Sequence, residues 1–218
     1  ELFDKKDDAV YVSTGIESFD DVALGLMQGH FTVFQAPEGI GKTEFMRYLE
    51  YYILTEHKHL KIAICHLEET EKRGVLGLVS YHLNKNLTRR DLIEEHNMEE
   101  DVKRAITELT AEERLYQFQI AVDEDPMDIL EKIRYFREAC GVDYVFFEPI
   151  QDLAYSRKGD ESVEKWLSAL SVQLSRLASE LNVGIVTIAH ENDDGQVRDC
   201  RTISKHASVV VKLQRDKM

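Results

Sequence analysis

Hydrophobic positions along the chain fall into two kinds of pattern. Residues 31–35, 62–66, 144–147, 183–189 and 209–213 are short, nearly continuous runs of branched and aromatic side chains, as expected of strands buried on both faces. Between them the apolar residues recur at three and four: Phe45, Met46, Leu49, Tyr52 and Ile53, then Ile129, Ile133 and Phe136. The strongest stripe is Val163, Trp166, Leu167, Leu170, Leu174, Leu177, Ala178 and Leu181. Each stripe is one face of an amphipathic helix. Weaker patterns predict helices over 72–83 and 101–109, a strand over 115–122, a short strand at 10–12 and a helical turn through Ile16, Phe19, Val22 and Leu24. Thr110 with Glu113 three residues on has the form of a capping box. Asp125 suits a cap, Pro126 a first helical position and Gly141 a helix end, and Asn182 ends the long helix. A polar loop is expected between Pro149 and Val163. Apolar strands alternating with helices predict an α/β domain over 10–218, a mostly parallel sheet with helices on both faces, preceded by a lead-in over 1–9. In such a sheet, ligands bind beyond the carboxyl ends of the strands.

One of those ends carries a recognisable motif. Ala36-Pro37-Glu38-Gly39-Ile40-Gly41-Lys42-Thr43 departs from G-x-x-x-x-G-K-[ST] only at its first position, and it stands between a strand and a helix, the context the motif requires. Gly39 and Gly41 let backbone amides turn toward phosphates, and the helix start adds donors. Lys42 would reach the β- and γ-phosphates of ATP, and Thr43 would offer its hydroxyl to Mg²⁺. Glu38 must point outward, since a carboxylate beside a triphosphate repels it.

Metal binding and hydrolysis call for further groups at neighbouring strand ends. Glu148 closes the run Val145-Phe146-Phe147 and is the candidate metal carboxylate, holding Mg²⁺ through a water because Glu reaches a methylene farther than Asp. Asp143 and Asp152 are alternatives, the first at the wrong end of the strand. In His66-Leu67-Glu68-Glu69-Thr70, Glu68 is the favoured general base, with Glu69 left to face solvent or cap the next helix. His190 follows the run 183–189, where a histidine can bond the γ-phosphate and report it to the next loop. There is no H-E-x-x-H, C-x-x-C or catalytic-triad spacing.

Composition narrows the class. With 31% charged residues and three prolines the chain is neither disordered nor collagen-like, and no apolar run nears the ~20 residues that span a bilayer. Cys65, Cys140 and Cys200 cannot all pair with one another, which favours a reducing compartment. The net charge of −14 is concentrated: residues 91–131 hold fourteen acidic and three basic groups, whereas 196–218 hold six basic and two acidic. Total charge therefore does not exclude nucleic acid at a local face. Candidate DNA contacts are Arg157 and Lys158 in the segment 155–159, and Arg198, Arg201 and Lys205 in the segment 191–205.

Taken in order, Ser13-Thr14-Gly15-Ile16, the loop 36–43, His66-Leu67-Glu68-Glu69, Glu148, the passage Leu174-Ser175-Arg176-Leu177-Ala178-Ser179-Glu180-Leu181-Asn182-Val183 and His190 resemble the RecA-like motor domain of ring-shaped replicative helicases: phage helicase-primases, mitochondrial Twinkle and bacterial DnaB. The resemblance implies a RecA-like P-loop NTPase core and assigns Glu68 as catalytic glutamate, Glu148 as the Walker B carboxylate and His190 as phosphate sensor. It also implies a homo-hexamer with ATP at subunit interfaces, 5′-to-3′ movement on single-stranded DNA, and association with a primase domain or replisome proteins. The implied setting is cytoplasmic, in the host for a phage protein, ahead of the mitochondrial matrix. Two departures stand out: Glu148 replaces the family's Asp, and residues 198–205 replace a Gly-rich stretch. Glu1 in place of Met suggests an excised domain, and the family's arginine-finger strand is expected past Met218, so that the fragment alone is a weak ATPase. Thr14-Gly15-Ile16-Glu17-Ser18-Phe19-Asp20-Asp21 resembles KaiC-type clock ATPases as well, and a nucleotide-binding structural partner is the third reading.

Overall fold

The computed structural model describes residues 11–87, 98–120, 124–156, 160–192, 195, 197 and 202–214. Six strands, β3 (Phe31–Ala36), β4 (Ile62–His66), β5 (Leu115–Gln117), β6 (Tyr144–Glu148), β7 (Gly184–His190) and β8 (Val209–Lys212), form one sheet in the order β5-β4-β6-β7-β3-β8. Every neighbouring pair is parallel. A two-stranded antiparallel ribbon of β1 (Tyr11–Val12) and β2 (Leu26–Met27) stands beside it.

Four of the five continuous apolar runs have the cause expected of them, since helices cover both faces; β8 does not, because it is an edge strand with one partner, no residue of it is buried and Val210 is 39% exposed. Ile62, Ile64, Tyr144, Phe146, Val186 and Ile188 pack toward α2 (Lys42–Glu56), α3 (Glu71–His82) and α4 (Glu99–Leu109). The alternate residues Ala63, Cys65, Val145, Phe147, Ile185 and Ala189 pack toward α5 (Asp128–Cys140), α6 (Ile150–Tyr155) and α7 (Val163–Leu181). Strand side chains alternate between faces, so one run supplies two cores. Ser162 caps α7 by accepting from the Lys165 amide at 3.3 Å, and Asn182 ends it in the left-handed conformation. Before the sheet, α1 (Glu17–Ala23) is tied down by Asp20, whose carboxylate accepts from the Thr14 amide and hydroxyl and from the Ser13 hydroxyl.

Four local expectations are corrected. Thr110 forms no capping box: its hydroxyl donates back to the Ile106 carbonyl at 2.8 Å, and Glu112 and Glu113 take positive φ. The strand expected over 115–122 ends at Gln117, because β5 is an edge strand with one partner. Pro126 lies in a turn before α5, where the Met127 amide bonds the Asp125 carboxylate at 2.9 Å. The segment after Pro149 is not a polar loop throughout; it begins with α6, too short to show a period, whose Ile150, Gln151, Leu153 and Ala154 are all buried.

Candidate nucleotide site

Strand β3 delivers the chain to the sheet edge at Ala36, which is paired in register with His190. Gly39 and Gly41 then turn it with φ of 76° and 95°, a region side chains disfavour. A Cβ at either position would meet nothing within 4 Å, so the loop's face is open. Glu38 is exposed, the direction its charge requires. Helix α2 starts at Lys42, aiming its first-turn amides at that opening. The Lys42 ammonium donates to the Pro37 carbonyl at 3.2 Å, folded across its own loop. Open backbone, helix start and lysine together fit a polyphosphate.

Beside the loop, β4 and β6 end level with each other: His66 pairs with Glu148 in register and the Leu67 amide donates to the Glu148 carbonyl at 2.9 Å. Glu148 is 5% exposed. Burial, partly offset by the nearby His66 charge, pushes its carboxyl up to about 7. Glu68 is 57% exposed, with a carboxylate oxygen 3.9 Å from His190 Nε2. Asp152 on α6 is raised by its own burial and by the Glu68 charge. Asp143, the other alternative to Glu148, sits at the far end of β6 and accepts from Gln28, Arg137 and the Lys61 amide. Thr43 and Glu148 are the candidate Mg²⁺ contacts; among the described residues no group of three or more His, Cys, Asp or Glu is placed to hold a metal ion.

Beneath the loop lies a buried charge network that the motifs do not announce. His66 Nε2 is 2.9 Å from Glu50, and its Nδ1 is 3.0 Å from Glu69. Arg47 pairs with both Glu44 and Glu69. Burial opposes charge on His66, but the Glu50 and Glu69 carboxylates prevail and raise it to about 10. Burial likewise works against the Glu69 anion, and His66 and Arg47 overcome it to hold the carboxyl at about 2. Room for this network comes from α3: a Cβ on Gly74 would lie 2.9 Å from His66 Nδ1, and one on Gly77 would collide with Arg47 Nε. Glu69 therefore neither faces solvent nor caps α3. Its side chain is 8% exposed, and Thr70 is the cap, accepting from the Arg73 amide. Sequence reasoning passed over Arg47 and Glu50 and gave His66 no role; two helical glycines three apart, Gly74 against His66 and Gly77 against Arg47, were the available signal.

The sheet edge thus gathers the loop 36–43, Glu68, Glu148 and His190. Lys205 is exposed on the short helix α8 (Ile203–His206), not in a loop as expected, because Ile203 is buried and anchors a helical turn there. Arg157, Lys158, Arg198 and Arg201 lie outside the described residues. A phosphate-binding loop at a strand-to-helix turn is common to many nucleotide-binding proteins, so the decisive observation is a match along the chain. The model of the DnaB-like helicase C-terminal domain matches residues 11–218. The chain belongs to that family. Among curated proteins it is 25% identical, over 93% of its length and 46% of the other's, to a probable plasmid replicative DNA helicase of Chlamydia psittaci. It is 21% identical, over 99% of its length and 50% of the other's, to the replicative DNA helicase DnaC of Bacillus subtilis (strain 168). The chain spans about half the length of these relatives. Among solved structures, one ATPase domain superposes with a TM-score of 0.73 at 19% identity, covering 95% of this chain and 77% of that one. This is the RecA-like α/β fold: a parallel sheet between two helical layers, with the loop 36–43 at its carboxyl edge.

Proposed function

We propose that this domain is the ATP-driven motor of a replicative DNA helicase, moving 5′ to 3′ on single-stranded DNA within a homo-hexameric ring. The observation that carries the reading is the convergence of the ends of β3, β4, β6 and β7 on one open phosphate loop. In this scheme the loop amides and Lys42 bind the β- and γ-phosphates. Thr43, with Glu148 through water, would hold Mg²⁺, which when bound neutralises charge on the phosphates. Glu68 orients the attacking water and takes its proton, helped by an exposure that lets water reach it. His190, beside Glu68, donates to the γ-phosphate. Arg157, Lys158, Arg198, Arg201 and Lys205 hold DNA phosphates without reading sequence. An arginine from a neighbouring subunit would complete the site, so a lone protomer turns over slowly; such a residue is worth about 10³–10⁵ in rate in related triphosphatases. The domain assignment is 10–218 after a lead-in over 1–9, with a primase domain or replisome proteins as partners. Among the described residues no helix is long and apolar enough to cross a membrane.

The test is the ATPase rate of the intact protein with and without single-stranded DNA, with Lys42→Ala as control. DNA-stimulated turnover that Lys42→Ala abolishes, together with unwinding of 5′-tailed but not 3′-tailed duplexes, is the expected result. Turnover indifferent to DNA would replace the motor with a KaiC-like ATPase, and binding without turnover would leave a nucleotide-binding structural partner.

A further inference from the structure

His190 stands at the last residue of β7, and the sheet supports it unequally. On one side β3 pairs up to Ala36↔His190, and the Glu191 amide donates to the Ala36 carbonyl at 2.9 Å. On the other side the β6–β7 ladder stops at Phe147↔Thr187, three residues short of His190, because Pro149 turns the chain away into α6. Gln151, in the first turn of that helix and 0% exposed, reaches back across the gap. Its Oε1 accepts from the His190 amide at 3.2 Å, and its Nε2 donates to the His190 carbonyl at 3.4 Å. One side-chain amide thus meets the N–H and the C=O of a single residue, as a neighbouring strand would.

An apolar side chain would fill this buried place without the desolvation cost of an amide. That cost is offset when the amide is bonded at both its oxygen and its nitrogen, and these two bonds go to His190. We propose that Gln151 is a positioning residue for His190: it completes the sheet at the end of β7 and sets the height and direction of the imidazole relative to the phosphate loop and Glu68. Because Gln151 stands three residues after Glu148, the same contact ties the metal-side strand end to the sensor-side one. A shift of either strand end on hydrolysis is then passed to the other without an intervening loop. This inference rests on the reading of His190 as the group that touches the γ-phosphate.

The experiment is steady-state ATP hydrolysis by the intact protein on single-stranded DNA, with nucleotide affinity measured separately by a fluorescent ATP analogue. The variants are Gln151→Leu, Gln151→Glu, His190→Ala and the double variant of Gln151→Leu with His190→Ala. Gln151→Leu removes both bonds, whereas Gln151→Glu keeps the acceptor and loses the donor, so the second serves if the first does not fold. Displacement of a reacting-site group by about 1 Å can cost up to about a hundredfold. The expected result is a fall in kcat of roughly tenfold or more, nucleotide affinity changed by less than about twofold, and little further loss when the change is added to His190→Ala, since a residue acting through another loses its effect with it. A folded Gln151 variant with unchanged kcat, or losses that multiply in the double variant, overturns the proposal while a slow His190→Ala leaves the sensor standing. Full activity of His190→Ala would remove the sensor and, with it, the role assigned to Gln151.

Discussion

Glu68 and Glu69 are adjacent after β4, yet one carboxylate is 57% exposed beside His190 and the other is 8% exposed and bonded to Arg47 and His66. A carboxylate must reach water to serve as its base; Glu69 is closed off from it, and although burial works against its anion, His66 and Arg47 hold the carboxyl at about 2. Glu68→Gln is expected to bind ATP normally and to lose hydrolysis by about 10²–10⁴-fold. Glu69→Gln is expected to act on stability instead, because a buried pair broken on one side costs about 3–5 kcal/mol, less what the amide can still accept. Single-turnover hydrolysis and urea unfolding of the two variants separate these effects. Hydrolysis lost in Glu69→Gln but kept in Glu68→Gln would transfer the base role to Glu69. The sequence places both glutamates after the strand; which one turns inward depends on Arg47, on a different element earlier in the chain.

At the scale of elements, α3 carries a local cost that its packing explains. Glycine in a helix is about 1 kcal/mol worse than alanine, and α3 has two, Gly74 and Gly77, both buried. A methyl on Gly77 would collide with Arg47 along its middle atoms, and Arg47 cannot swing aside without leaving Glu44 and Glu69. Gly77→Ala should therefore destabilise by about 1–3 kcal/mol through overpacking, against the stabilisation an ordinary helical site would show. For a domain of this size that is a fall in Tm of about 2–4 °C per kcal/mol. A raised Tm for Gly77→Ala would mean that the Arg47 network tolerates displacement. Helix α6 makes a related point: six residues are too few for a period, so α6 was invisible to pattern reading although it places Gln151 against His190.

For the whole molecule, the proposed function asks an acidic chain to hold a polyanion. Fourteen acidic residues in 91–131 account for most of the net charge of −14, and the proposed DNA contacts are far from that segment in sequence. Phosphate contacts release counterions, so each one lost from a single strand should lower the slope of log affinity against log salt by about 0.7. Replacing Arg198 and Arg201 together by alanine in the intact protein should weaken binding equally for two unrelated strands and flatten the slope, leaving ATP affinity without DNA intact. Unchanged affinity and slope in that salt titration would put the DNA elsewhere.

The sequence by itself determined the α/β class, the four core strands and the edge strand β8 to within one or two residues, the glycine turn between β3 and α2 and the passage from the long helix into β7. These features are written locally: strand burial on both faces produces unbroken apolar runs, and a turn through positive φ favours Gly39 and Gly41 whatever surrounds them. Only the tertiary structure decided the strand order, the inward turn of Glu69, the place of His66 between Glu50 and Glu69 in a buried network and the bonds from Gln151 to His190. Each of these joins residues far apart in the chain across a sheet or between a helix and a strand end. The free energy that selects such contacts comes from burial and pairing that exist only once the layers have closed.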